Sequence, residues 1–204
     1  MMFQKDIETM PRQEIEKIQL ERLKETVKYC YDNVPLYHKR LDDAGVGDGS
    51  KIRVLSDIEY IPFTTKDDFR DNYPFGMVAT PMKDIVRIHA SSGTTGKPTV
   101  GVYTKEDIKI WADLVARVAV AGGVTADDII QISFGYGLFT GALGLHYGME
   151  NIGATVIPAS SGNTEKQLMM MRDYGVTGLV ATPSYALYLS EAVKEAGYQR
   201  RGSR

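Results

Sequence analysis

The sequence predicts an α/β protein in which N-terminal helices precede part of a mostly parallel, doubly wound sheet. Three observations carry this. Apolar residues recur at helical spacing from Ile15 to Val34. Short β-branched runs alternate with helical stretches from residue 84 onward. A loop crowded with glycines and hydroxyls, residues 91–98, separates two of those runs. Strands spaced by helical segments argue for parallel strands joined by crossover helices. Ligands of such sheets bind beyond the carboxyl ends of the strands. The pattern change divides the chain into a helical and irregular segment, 1–83, and an α/β portion, 84–204.

The elements follow in order. Thr9-Met10-Pro11 is a helix start, because proline is tolerated in the first turn. Ile15, Ile18, Leu23, Val27, Cys30 and Val34 then mark one face, and charged residues solvate the others. Pro35 breaks the pattern, and a short second helix runs from about Leu36 to Ala44. Residues 45–83 are irregular, punctuated by Gly45, Gly47, Gly49, Pro62, Pro74 and Pro81. Within them Thr64 or Thr65 caps a short helix whose first turn carries Asp67 and Asp68.

Residues 85–89 and 99–103 read as strands, so the loop between them turns a hairpin. Residues 105–121 read as a helix with Ile108, Trp111, Val115 and Val118 on its inner stripe. A buried strand, 128–133, leads to a glycine-rich helix or broken helix, 138–151. Strands at 155–158 and 178–181 alternate with helices at 164–174 and 183–196. In the first of these helices Leu168 and Met171 point inward, with Asn163 or Thr164 as cap.

Composition narrows the function classes. Hydrophobic residues make up 43% of the 204 and charged residues 25%, an ordinary globular balance. Lys+Arg 24 against Asp+Glu 26 leaves a net charge of −2, which argues against a nucleic-acid partner. One cysteine, Cys30, excludes an internal disulfide and a multi-cysteine metal site, and fits a reducing compartment. The N-terminus lacks the apolar core of a secretory signal, and the apolar run 114–124 is too short and too interrupted to span a bilayer. The expectation is a cytoplasmic protein without a membrane partner.

Chemistry concentrates in Ser91-Ser92-Gly93-Thr94-Thr95-Gly96-Lys97-Pro98. Glycine lets backbone N–H groups turn toward a ligand, hydroxyls donate to anionic oxygens, and lysine adds mobile positive charge. Together they make a phosphate cradle. A Walker loop would need glycine five positions before Gly96 and a hydroxyl after the lysine, where Ser91 and Pro98 stand. A surface turn of small polar residues does not call for this run of hydroxyls beside a lysine.

This loop resembles the phosphate-binding signature of the acyl-adenylate-forming enzymes. Pro62-Phe63-Thr64-Thr65-Lys66, the stretch 70–76, the stretch 134–141 and Gly144-Leu145-His146-Tyr147-Gly148 all resemble the phenylacetate–coenzyme A ligases, in the expected order. The resemblance runs from about Pro11 to Gly197 and implies the N-terminal portion of that family's large domain, incomplete at its C-terminus. In the family, an acid and ATP give an acyl-adenylate and pyrophosphate, and coenzyme A then displaces AMP. The resemblance implies that Ser91, Ser92, Gly93, Thr94, Thr95, Gly96 and Lys97 hold the triphosphate of ATP with Mg²⁺, and that coenzyme A is co-substrate. Lys66 adds charge on this reading, and reads equally as an exposed lysine at a helix start.

Phe134, Tyr136 and Phe139, with Gly137 and Gly141 leaving room for a flat ring, resemble the lining of the family's aryl-acid pocket. Each aromatic alone reads equally as core packing; the group favours the pocket. His89, His146 and Tyr147 read as structural. The family's adenine, ribose and C-terminal lysine motifs have no counterpart among the 204 residues, so this chain by itself is expected to be inactive and to self-associate through exposed apolar surface. Two other readings share the sequence: a related adenylylating enzyme acting on another aryl acid or a deazaflavin cofactor, and a non-catalytic binding or assembly module.

Overall fold

The computed structural model describes residues 1–92, 96–138 and 140–197. It forms two compact units, Gln4–Lys105, and Glu106–Arg204 together with Met1–Phe3. The division falls after Lys105, so the expected hairpin lies with the N-terminal helices.

In the first unit a short helix α1 (Lys5–Glu8) precedes the long helix α2 (Arg12–Asn33) and α3 (Pro35–Asp43). Proline sits at the first position of α3, where no backbone donor is missed. Val27 of α2 and Leu41 of α3 form a small core with Val46 and Ile52, and Leu20, Leu23, Tyr31 and Tyr37 pack around it. The inner face of α2 is therefore the one its apolar spacing predicts.

Helix α4 (Lys66–Asp71) resolves the choice of cap in favour of Thr65. Thr65 Oγ1 accepts from the Asp68 N–H at 3.4 Å, and Asp68 Oδ2 accepts from the Thr65 N–H at 2.7 Å. Asp68 also takes both arms of the Arg40 guanidinium, one of them Nη1 to Oδ2 at 2.8 Å, which ties α3 to α4. The guanidinium and the cap N–H hold this carboxyl well below the usual carboxylate range.

Strands β1 (Ile85–Ala90) and β2 (Val100–Thr104) form the expected antiparallel hairpin, with Ile88 opposite Val102 and Ala90 opposite Val100. The second unit holds α5 (Lys105–Ala121), β3 (Ile129–Ile132), α6 (Gly141–Ile152), β4 (Thr155–Ile157), α7 (Thr164–Asp173), β5 (Gly178–Val180) and α8 (Pro183–Glu195). Its three strands run parallel in the order β4-β3-β5. Ile130, Ile132, Ala119, Ala142, Met149 and Ala154 are its buried core.

Helix α6 is continuous, and Gly144 and Gly148 are contact points rather than breaks. A methyl at Gly144 would overlap the Trp111 ring, and one at Gly148 would lie 2.5 Å from Val115 Cβ. The backbone of α6 thus packs directly on Trp111 and Val115 of α5.

One facing expectation is corrected. Val118 is 74% exposed, while Ala116, Ala119 and Val120 are buried. The close approach at Gly144 and Gly148 fixes one side of α5 and the sheet takes Ala119, so Val118 turns outward. In α7, Leu168 is buried and Met171 half-buried, as expected, and Gln167 and Met170 are buried with them. Asn163 caps this helix, its Oδ1 accepting from the Lys166 N–H at 3.1 Å.

Candidate functional site

The candidate phosphate-loop residues belong to the first unit. Ser91 closes the base of the loop in two ways: its N–H donates to the Thr99 carbonyl at 2.9 Å, and its Oγ accepts from the Thr99 N–H at 2.9 Å. The Ser91 hydroxyl proton remains available for a ligand, and both Ser91 and Ser92 are exposed. Gly96 has φ +134°, a backbone state that side chains resist. Lys97 Nζ lies 5.4 Å from the centre of the Tyr73 ring, within cation–π range. That contact keeps the ammonium beside the loop without neutralising it, as a carboxylate would. Gly93, Thr94 and Thr95 lie outside the described residues.

Lys66 is the exposed first residue of α4, and its position there follows from the Thr65 cap. His89 is 3% exposed, with its ring edge-on to Tyr103 at 5.5 Å. It is a core side chain of β1, as read from the sequence.

The candidate acid-binding residues belong to the second unit and follow β3, the central strand, at its carboxyl end. Ser133 N–H donates to the Val180 carbonyl at 2.8 Å and Ser160 N–H to the Ile132 carbonyl at 3.1 Å. These bonds gather the ends of β3, β4 and β5 into one edge. Phe134 and Tyr136 are half-buried and pack against the core of this unit, while Gly137 and Gly141 have open space over their α-carbons. Phe139 lies outside the described residues. The Tyr136 hydroxyl lies 3.1 Å from His146 Nδ1. Burial first, and then the Glu150 carboxylate, push the Tyr136 phenol up to about 12.

Tyr73, which meets Lys97, falls within the stretch 70–76. Gln131 and Gln167 carry no motif of their own: Gln131 Nε2 donates to Gln167 Oε1 at 2.6 Å, and Ser133 Oγ donates to the same oxygen at 2.8 Å. Gln167 Nε2 in turn donates to the Ser160 carbonyl at 2.9 Å and the Gly162 carbonyl at 3.2 Å. This buried network sets the loop after β4 against the end of β3. The His146–Glu150 pair did have a sequence signal, a spacing of four on one helix.

Known proteins resemble this chain along most of its length. No protein-family model matches the chain. Phenylacetate-coenzyme A ligase of Escherichia coli is 53% identical over 188 residues, 92% of this chain. The enzyme of the same name from Thermus thermophilus is 49% identical over 197 residues, 97% of this chain. Over nearly its whole length the chain is similar to part of each of these phenylacetate-coenzyme A ligases. It spans about 44% of the length of the curated relatives it matches. Among solved structures, 2-hydroxyisobutyryl-CoA ligase with 2-HIB-AMP and CoA superposes on 93% of this chain and 41% of its own, with a TM-score of 0.86 and 28% identity. Its open conformation gives 0.85 at 27% identity. The α/β fold of that ligase is therefore the fold of this chain, and the helices, hairpin and parallel strands read from the sequence are its elements.

No helix among the described residues is long and apolar enough to cross a membrane.

Proposed function

We propose that this chain supplies the phosphate-binding and acid-binding part of an ATP-dependent aryl acid–coenzyme A ligase. The observation that carries the reading is identity of 49% to 53% with phenylacetate-coenzyme A ligases over at least 92% of the chain. The acid's carboxylate attacks the α-phosphorus of ATP, pyrophosphate leaves, and an acyl-adenylate results. The sulfur of coenzyme A then attacks the acyl carbon, and AMP leaves with the thioester formed.

The loop has the chemistry for the first half of this. Negative charge grows on the phosphoryl oxygens and on the leaving pyrophosphate, and preorganised donors lower the barrier where that charge appears. Ser91, Ser92, Gly93, Thr94, Thr95 and Gly96 would hold the triphosphate through hydroxyl and backbone donors, with Lys97 as the mobile charge. Mg²⁺ would arrive with ATP and neutralise part of the same charge. Lys66 is a second, weaker candidate for that role. Phe134, Tyr136 and Phe139 would receive the aryl group, with Gly137 and Gly141 clearing its path. A cytoplasmic location, where ATP and coenzyme A are both at hand, fits this reading.

The test is acid-dependent exchange of pyrophosphate into ATP, followed by thioester formation, in a family-length protein carrying this sequence. Phenylacetate should be preferred within a panel of aryl, aliphatic and hydroxy acids. The 204-residue chain alone should show no exchange. Preference for 2-hydroxyisobutyrate would move the assignment to another branch of the same chemistry.

A further inference from the structure

Tyr136 is one end of a three-residue chain of hydrogen bonds. Its hydroxyl meets His146 Nδ1 at 3.1 Å, and His146 Nε2 meets Glu150 Oε1 at 3.0 Å. His146 and Glu150 stand one turn apart on α6, and the His146 side chain is only 20% exposed. Its ring is clasped edge-on by Tyr136 at 5.9 Å and by Tyr147 at 5.5 Å. The imidazole therefore has a fixed place and two fixed partners.

The direction of each hydrogen bond follows from the donor inventory. An ionised carboxylate only accepts, so Glu150 draws the imidazole proton to Nε2. Nδ1 is left as an acceptor. The Tyr136 hydroxyl must then donate, and it has one proton to give.

We infer that His146, backed by Glu150, is a positioning residue for acid selection: it takes the single proton of the Tyr136 hydroxyl, so that Tyr136 can offer none to the ring of the bound acid. This rests on the aryl-pocket reading of Tyr136. The consequence concerns acids of one shape. Phenylacetate asks nothing of Tyr136 but contact. A pyridylacetate has nearly the same outline, but its ring nitrogen is an acceptor that must be stripped of water to enter. With the Tyr136 proton already committed, that nitrogen stays unpaired in the site. Leaving a buried acceptor unpaired weakens binding by about tenfold or more. The phenyl ring is thus selected by what Tyr136 withholds.

The experiment compares kcat/KM for phenylacetate and the three pyridylacetates in the family-length protein. His146→Leu fills the space but accepts no hydrogen bond, and should narrow the phenyl preference about tenfold for at least one isomer. His146→Asn returns an acceptor near Nδ1 and should restore it. In a Tyr136→Phe background, His146→Leu should leave the ratio unchanged. A merely structural histidine would lower activity toward all acids alike and leave the ratio where it was, which overturns the proposal.

Two further measurements keep the outcomes apart. If Tyr136→Ala leaves the phenylacetate KM unchanged, Tyr136 does not touch the ring, and the pocket reading falls together with this inference. If Tyr136→Ala raises that KM while His146→Leu leaves the ratio fixed, the pocket stands and the inference alone falls. The second measurement needs no turnover. Nitrogen-15 spectra of the 204-residue chain at neutral pH should show His146 as the Nε2–H tautomer. An Nδ1–H tautomer or an imidazolium would reverse the hydrogen bond to Tyr136 and overturn the proposal.

Discussion

Replacing Gly148 by alanine should destabilise the chain, although alanine is the better helix former. A methyl at this position would lie 2.5 Å from Val115 Cβ and 3.3 Å from the Ala116 backbone nitrogen. Carbon atoms in good contact sit about 3.5–4.0 Å apart. The missing distance is therefore roughly 1–1.5 Å. Val115 Cβ is fixed to the α5 backbone, and no rotamer withdraws it. Helices α5 and α6 must separate, which also loosens Trp111 on Gly144. Overpacking of this kind costs about 1–3 kcal/mol, and the rigid partner puts it near the top of that range. The gain in helix propensity offsets about 1 kcal/mol. The net loss is about 2 kcal/mol, a fall in Tm of roughly 4–8 °C for a protein of this size. Denaturant and thermal melts of Gly148→Ala, Val115→Gly and the double variant measure it. The two substitutions should couple strongly, because removing Val115 Cβ relieves the overlap. A rise in stability for Gly148→Ala, or purely additive effects, would refute the close packing of these helices.

Further outcomes follow from other contacts. In the family-length protein, Lys97→Ala should slow single-turnover adenylation by about 10²–10³ while leaving the affinity for the aryl acid unchanged; stopped-flow pyrophosphate release checks the first and equilibrium binding the second. The depressed Asp68 carboxyl should contribute stability above its unfolded value of about 3.9, and that contribution should vanish as pH falls through the lower folded value. Asp68→Asn should therefore lose stability at neutral pH and give a flatter stability curve below about pH 4 in acid titrations followed by circular dichroism. Gln167→Leu should cost about 1–3 kcal/mol in urea melts, because it removes the acceptor that the Ser133 hydroxyl and the shorter bond of the Gln131 amide share in the core.

Much of the fold was legible because each element buries one face at its own period. Val27 on α2, Ile130 and Ile132 on β3, and the hairpin around residues 91–98 follow from spacing and turn chemistry. Val118 was misplaced because a helix's inner face is chosen by its partner. Two glycines of α6 decide it for α5. At the candidate site, glycine, hydroxyl and lysine composition marked the loop. The contact of Lys97 with Tyr73 was not legible, since it joins residues far apart in the chain. Gln131 gave no signal either: its strand read as buried, but the partner of its amide lies 36 residues along the chain. Thr64 and Thr65 were equivalent by composition, and only the reciprocal bonds with Asp68 distinguish them.

Helix α6 shows why a glycine-rich helix belongs beside this edge of the sheet. Ala142, Leu145, Met149 and Ile152 face the core of the unit. Gly144 and Gly148 admit Trp111 and Val115. His146 and Glu150 occupy a third face and reach Tyr136. Each glycine weakens the isolated helix by about 1 kcal/mol relative to alanine. In return the helix axis is held by backbone contact rather than by long side chains that could repack. A hydrogen bond of 3.1 Å between His146 and Tyr136 tolerates only a few tenths of an ångström of drift before it weakens. The stability of the Gly148–Val115 contact and the fixed direction of the Tyr136 hydroxyl are on this account one property. Spreading α5 from α6 should disturb both, and in that order.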